Sequence, residues 1–109
     1  MDVQQRIREH IESQPVTIFM KGSPEAPQCG FSARTAEALK DCERPFQWVN
    51  VLADQEIRSA LPQYADWPTF PQVFIDGELV GGCDITLQLH EQGELKPMIQ
   101  KAADARSEA

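Results

Sequence analysis

The stretch PVTIFMKGSPEAPQCGFSARTAEALKDC, residues 15 to 42, decides the fold. Its first six residues, 15 to 20, are apolar and β-rich, the composition of a buried strand. Residues 21 to 28 carry Gly22, Pro24 and Pro27, which break any regular element and predict a loop. From Gly30 to Cys42, Phe31, Thr35, Ala38, Leu39 and Cys42 recur at helical spacing, so a helix is predicted with those residues on one side. The next apolar run, FQWVNV at 46 to 51, predicts a second strand. Strand, helix, strand makes a parallel pair, because a crossover helix returns the chain to the same end of the sheet.

Toward the N-terminus, Val3, Ile7 and Ile11 fall at i, i+4 and i+8 behind a capping Asp2, which predicts a helix over 2 to 13 closed by Pro15. Toward the C-terminus, Asp54 caps a short predicted helix carrying Ile57 and Leu61 and ending before Pro62. PQVFID (71 to 76), the Asp76-Gly77 turn and ELVGG (78 to 82) predict a hairpin, since Asp-Gly accepts the positive φ a tight turn needs. A helix from Cys83 to Gln92 ends at Gly93, and a last one runs from Leu95 to Ala105 with Pro97 in its first turn. The 8 prolines and 6 glycines are all expected at or near element boundaries, and the tail ARSEA is expected to fray. The order α-β-α-β-α-β-β-α-α predicts an α/β class: a small mixed sheet with helices on both faces.

The 109 residues correspond to a single domain over 1–109, which would bury roughly two thirds of its unfolded surface. With 17 acidic against 10 basic residues the net charge is -7, which argues against a grip on nucleic acid or an anionic membrane. No apolar run approaches the roughly 18 residues of a membrane span. The first residues, MDVQQRIREHIESQ, resemble neither a secretion signal nor a transit peptide, so a soluble, cytoplasmic protein is expected.

The cysteines, at 29, 42 and 83, are odd in number and match no zinc-ligand spacing. A disulfide scaffold and a self-contained metal site are both disfavoured, so any cysteine-bound metal needs ligands from outside the chain. Cys29 opens a helix as CGFS (29 to 32), where unpaired N–H groups stabilise a thiolate and Lys21 adds positive charge. The alternative is an inert, buried thiol. Ser32 stands where a C-x-x-C motif has its second cysteine, so a mixed disulfide on Cys29 must be resolved by another thiol. Cys42, near the end of a core-facing helix side, reads as structural. His10 and His90 lie on predicted helices without partner ligands and read as surface or half-buried residues.

FMKGSPEAPQCGFS (19 to 32) and WPTFPQVFIDGELVGGCD (67 to 84), with the spacing between them, resemble the monothiol glutaredoxins of CGFS type in their single-domain form. The resemblance extends over residues 2 to about 103 and implies the thioredoxin fold, a small four-stranded mixed sheet flanked by helices. It further implies glutathione binding and a 2Fe-2S cluster held between two protomers. Each protomer would give Cys29 and one glutathione, whose thiol is the next ligand, which meets the usual four thiolates. It also implies apo iron-sulfur proteins as recipients, and mixed clusters with a BolA-type partner that brings its own histidine.

Between positions 45 and 95 there are eight acids and one base, Arg58, which on composition alone could simply balance the surface field. Lys21 could equally be a solvated loop lysine. The resemblance gives both a task, holding the glycine carboxylate of glutathione. It implies a cis bond before Pro71 that turns the Phe70 backbone toward the cysteinyl unit of glutathione, with Trp67 as packing. Gly81 and Gly82 permit close approach, and the N–H groups of Cys83 and Asp84 suit a carboxylate at a helix start. Asp84 is either a helix cap or, as the resemblance implies, the acceptor of the γ-glutamyl amino group. For Cys83 the backbone counts for more than the sulfur, although in relatives a thiol here can pair with the CGFS cysteine.

Two functions use this one thiolate and pocket: an iron-sulfur cluster carrier, and a monothiol oxidoreductase acting on protein-glutathione mixed disulfides. The loop of seven residues between Lys21 and Cys29 separates them, because the resemblance associates it, with CGFS, with cluster binding and at most weak oxidoreductase activity.

Overall fold

The computed structural model describes residues 2–107. Helix α1 (Val3–Ser13) starts on a capping box: the Asp2 carboxylate accepts from the Gln5 N–H while the Gln5 side chain accepts from the Asp2 N–H. Strand β1 (Val16–Met20) is buried along its whole length. Helix α2 (Gly30–Asp41) and strand β2 (Gln47–Asn50) complete the predicted crossover, and β2 runs parallel to β1 with Thr17 opposite Gln47. After α3 (Gln55–Ala65), strands β3 (Gln72–Ile75) and β4 (Glu78–Gly81) form the hairpin, with Asp76 and Gly77 both at positive φ. Helices α4 (Cys83–Glu91) and α5 (Leu95–Ser107) follow.

The sheet order is β2-β1-β3-β4, with β3 antiparallel to both neighbours. Alternation along β1 sorts the core into two halves. Val16, Ile18 and Met20 pack with Val73 and Ile75 against Leu39 of α2 and Leu95 and Ile99 of α5. On the opposite face Phe19 and Phe74 meet edge to face at 5.6 Å, against Ile7 and Ile11 of α1 and Ile57 and Leu61 of α3. The result is the three-layer mixed sheet expected for the thioredoxin fold.

Several expectations need correction. Helix α3 does not end before Pro62 but runs through it to Ala65. Proline removes only the N–H that would meet the Arg58 carbonyl. The helix end is closed by later donors: Asp66, in the left-handed conformation, and Trp67, whose N–H reaches the Pro62 carbonyl at 3.0 Å. Phe31 does not join the buried side of α2; it is 53% exposed and lines the groove at the helix start, while its neighbour Ser32 is fully buried. The tail is helical as far as Ser107, and the remainder of ARSEA lies outside the described residues. No helix among the described residues is long and apolar enough to cross a membrane.

Candidate functional site

The C-terminal ends of the parallel strands β1 and β2 open onto a groove of about 880 Å³. Its lining brings together Lys21 after β1, Cys29 and Phe31 at the start of α2, Arg58 of α3, the run Trp67 to Pro71, and Gly82 to Ile85 at the start of α4. All six residues singled out in the sequence, Lys21, Cys29, Arg58, Phe70, Cys83 and Asp84, lie on this one lining.

Cys29 is the N-cap of α2, in extended backbone conformation (φ -154°, ψ 135°), and its thiol is partly exposed. The N–H of Ser32 does most to hold the thiol below its ordinary value, with smaller help from the Phe31 N–H, the Lys21 ammonium and the Ser32 hydroxyl, against burial that pushes it up. The sulfur makes no full capping hydrogen bond, so the stabilisation comes from N–H dipoles aimed at a charge that forms on deprotonation. The other two thiols differ. Cys42 is fully buried, its thiol is pushed up by burial and by Asp41, and its Sγ donates to the Ala38 carbonyl at 3.4 Å. Cys83 is only 7% exposed and unpaired.

The loop between Lys21 and Cys29 is short of regular structure but well tied. The Lys21 N–H donates to the Ser32 hydroxyl at 3.1 Å, the Gly22 N–H to Asn50 Oδ1 at 2.9 Å, and the Gln28 N–H to the Lys21 carbonyl at 2.9 Å. Gly22 has φ +93°, and a Cβ there would lie 2.6 Å from the Ala26 carbonyl oxygen, so only glycine fits the loop's closure. Ser32 is fully buried. It therefore does more than leave the second cysteine out: its hydroxyl links the loop to the helix that carries Cys29.

Neither Lys21 nor Arg58 has an ion pair among the described residues. The acids nearest Arg58 in sequence, Asp54 and Glu56, are engaged by Arg6 from α1. The opposite wall ends in the Phe70–Pro71 peptide bond, which is cis. Trp67 Nε1 is buried without a partner, in keeping with a packing role, and a Cβ on Gly82 would meet it at 3.2 Å, together with the Pro71 carbonyl. The helix cap of α4 is Gly82, not Asp84. With no capping side chain, the N–H groups of Cys83 and Asp84 are free for an anion, while the exposed Asp84 carboxylate offers an acceptor beside them.

Sequence reasoning missed Asn50, which accepts from both Gly22 and Leu52, and Gln72, whose side chain holds the Trp67 and Thr69 carbonyls. The visible signal was a polar residue inside each apolar strand run. Among the described residues no three His, Cys, Asp or Glu side chains form a metal-holding group, so a metal cluster at Cys29 requires outside ligands. Chemically, the groove offers one activated thiol with cations on one flank and a helix N-terminus on the other.

Residues 16–80 match the glutaredoxin family. Glutaredoxin 4 of Pasteurella multocida is 52% identical over 103 residues, covering 94% of each chain. Among solved structures, reduced poplar apo GrxS14 superposes with a TM-score of 0.79 at 43% identity, over 92% of each chain. A buckwheat glutaredoxin-glutathione complex gives a TM-score of 0.81 at 27% identity, over 92% of this chain and 89% of that one. A thioredoxin-fold sheet with a partly exposed cysteine at the start of the first crossover helix, matched this closely over nearly its full length, places the chain in the glutaredoxin family.

Proposed function

We propose that this chain is a monothiol, CGFS-type glutaredoxin that holds a 2Fe-2S cluster between two protomers and passes it to apo iron-sulfur proteins, with glutathione supplying the missing thiols. The observation that carries this reading is that Cys29 is the one partly exposed thiol, the other two being buried. One thiolate per chain falls short of four, and two chains with two glutathiones meet the count.

The residues present fit such a tripeptide. Lys21 and Arg58, both without ion pairs among the described residues, would hold the glycine carboxylate. The Phe70 backbone would pair with the cysteinyl unit. The N–H groups of Cys83 and Asp84 would take the γ-glutamyl carboxylate, and the Asp84 side chain its amino group. A BolA-type protein would replace the second protomer in a mixed complex. A reducing compartment such as the cytoplasm suits the unpaired thiols.

The lowered thiol also favours a second activity. The Cys29 thiolate would attack the glutathione sulfur of a protein mixed disulfide and release the protein thiolate. A second glutathione thiolate would then attack that adduct, freeing Cys29 and leaving glutathione disulfide. Ser32 cannot perform the second step, so turnover depends on free glutathione. The activity is expected to be weak, because the resemblance associates the seven-residue loop between Lys21 and Cys29, together with CGFS, with weak oxidoreductase function.

The two cysteine variants test the ligand assignment. Cys29→Ser is expected to abolish cluster binding after reconstitution, and Cys42→Ser to retain it. A normal cluster on the Cys29 variant would reject the reading.

A further inference from the structure

Gln72 is fully buried at the start of β3, in line with Val73, Phe74 and Ile75, where an apolar side chain would pack without desolvating an amide. Its Nε2 donates to the carbonyl of Trp67 at 3.0 Å and to that of Thr69 at 3.3 Å. Both partners are acceptors, so nitrogen and not oxygen must face them, and the amide orientation follows. Oε1 is then left buried without a partner, a cost the fold itself does not recover.

The two carbonyls belong to the groove wall from Trp67 to Pro71. Phe70 packs against the core, but the wall has few other hydrogen bonds. Pro68 and Pro71 have no N–H, and the Trp67 N–H bonds backward to Pro62 in α3. Among the described residues, Gln72 is the one side chain that hydrogen-bonds the wall's backbone.

We propose that Gln72 is a positioning residue that sets the path of the Trp67–Pro71 wall, and through it the direction in which the Phe70 backbone faces a bound tripeptide. It lines no part of the groove and acts only through the wall. The effect on glutathione rests on the glutathione reading above.

Gln72→Met keeps an unbranched side chain of similar size, removes both donors and also removes the orphaned oxygen. Calorimetric titration with glutathione is expected to show affinity reduced by about tenfold. The melting temperature should stay within about 3 °C of wild type, because removing the buried, unpaired Oε1 offsets the loss of the two Nε2 hydrogen bonds. The pH midpoint of Cys29 alkylation should not move. A purely structural role gives the reverse: a lower melting temperature with affinity unchanged below it. Affinity within about twofold of wild type in the folded variant overturns the proposal. If wild type itself binds no glutathione, the glutathione reading fails. The positioning claim then stands if backbone amide shifts in Gln72→Met concentrate at residues 67 to 70, and falls if they do not. Should the variant not fold, the wild-type Gln72 side-chain NH₂ decides: slow exchange of both protons supports the assignment, and fast exchange overturns it.

Discussion

At Cys29 a thiol on a helix's first N–H groups is stabilised as the anion, and the effect has a sign that can be measured. Its folded-state value lies below the ordinary one, so the thiolate contributes stability above the ordinary thiol range. That contribution is lost as pH falls through the lowered value. Iodoacetamide alkylation of Cys29 is expected to show a midpoint below that of the unfolded chain. Lys21→Ala should raise the midpoint only slightly, because the Ser32 N–H is the larger influence. A midpoint equal to the unfolded value would contradict the assignment. Cys29 was legible in the sequence because its setting is local: a breaker-rich loop, then a helix. The buried hydroxyl of Ser32 and the amide of Asn50 were not, because their partners are remote. Asn50 meets Gly22 across 28 positions, and no local pattern encodes that contact.

At the scale of an element, α3 shows how caps and ion pairs place a functional side chain. Asp54 accepts from the Ile57 N–H at 3.2 Å and also pairs with Arg6, so one carboxylate starts the helix that carries Arg58 and docks it on α1. Asp54→Ala is expected to destabilise the protein by about 1–2 kcal/mol, read from urea unfolding. An unchanged midpoint would show that the cap contributes nothing. The helix start was legible, since Asp54 precedes Ile57 and Leu61 at helical spacing. Its end was not, because Pro62 is a strong local stop signal that closure of the helix by Asp66 and Trp67 overrides.

For the whole molecule, the alternation of β1 divides the core and joins its halves through one strand. Phe19 is fully buried at the centre of the α1 and α3 side, against Phe74. Phe19→Ala should cost about 3–5 kcal/mol. That is a large share of the ~5–15 kcal/mol expected for such a domain, so the variant should unfold at markedly lower urea. A loss below about 1 kcal/mol would mean the aromatic pair is not the centre of that half. Element order and sheet type were legible here because strand and helix periods differ and the Asp76-Gly77 turn fixes the hairpin. The groove was legible through Cys29 at its loop-to-helix junction and through the Gly-rich helix start at Cys83 and Asp84, while Lys21, Arg58 and Phe70 took their places in it only from the family resemblance. The polar residues behind its walls, Asn50 and Gln72, show only as interruptions of apolar strand runs, which marks them as unusual without telling what they hold.

The cluster-carrier proposal turns on ligands that one chain does not possess, so composition and mass test it together. The protein is reconstituted anaerobically with iron, sulfide and glutathione, and its absorption spectrum is taken with a native mass. We expect a coloured species whose mass is that of two chains, two glutathiones and one 2Fe-2S cluster. A colourless monomer that rapidly reduces a glutathione mixed disulfide would contradict the carrier function and leave the oxidoreductase in its place.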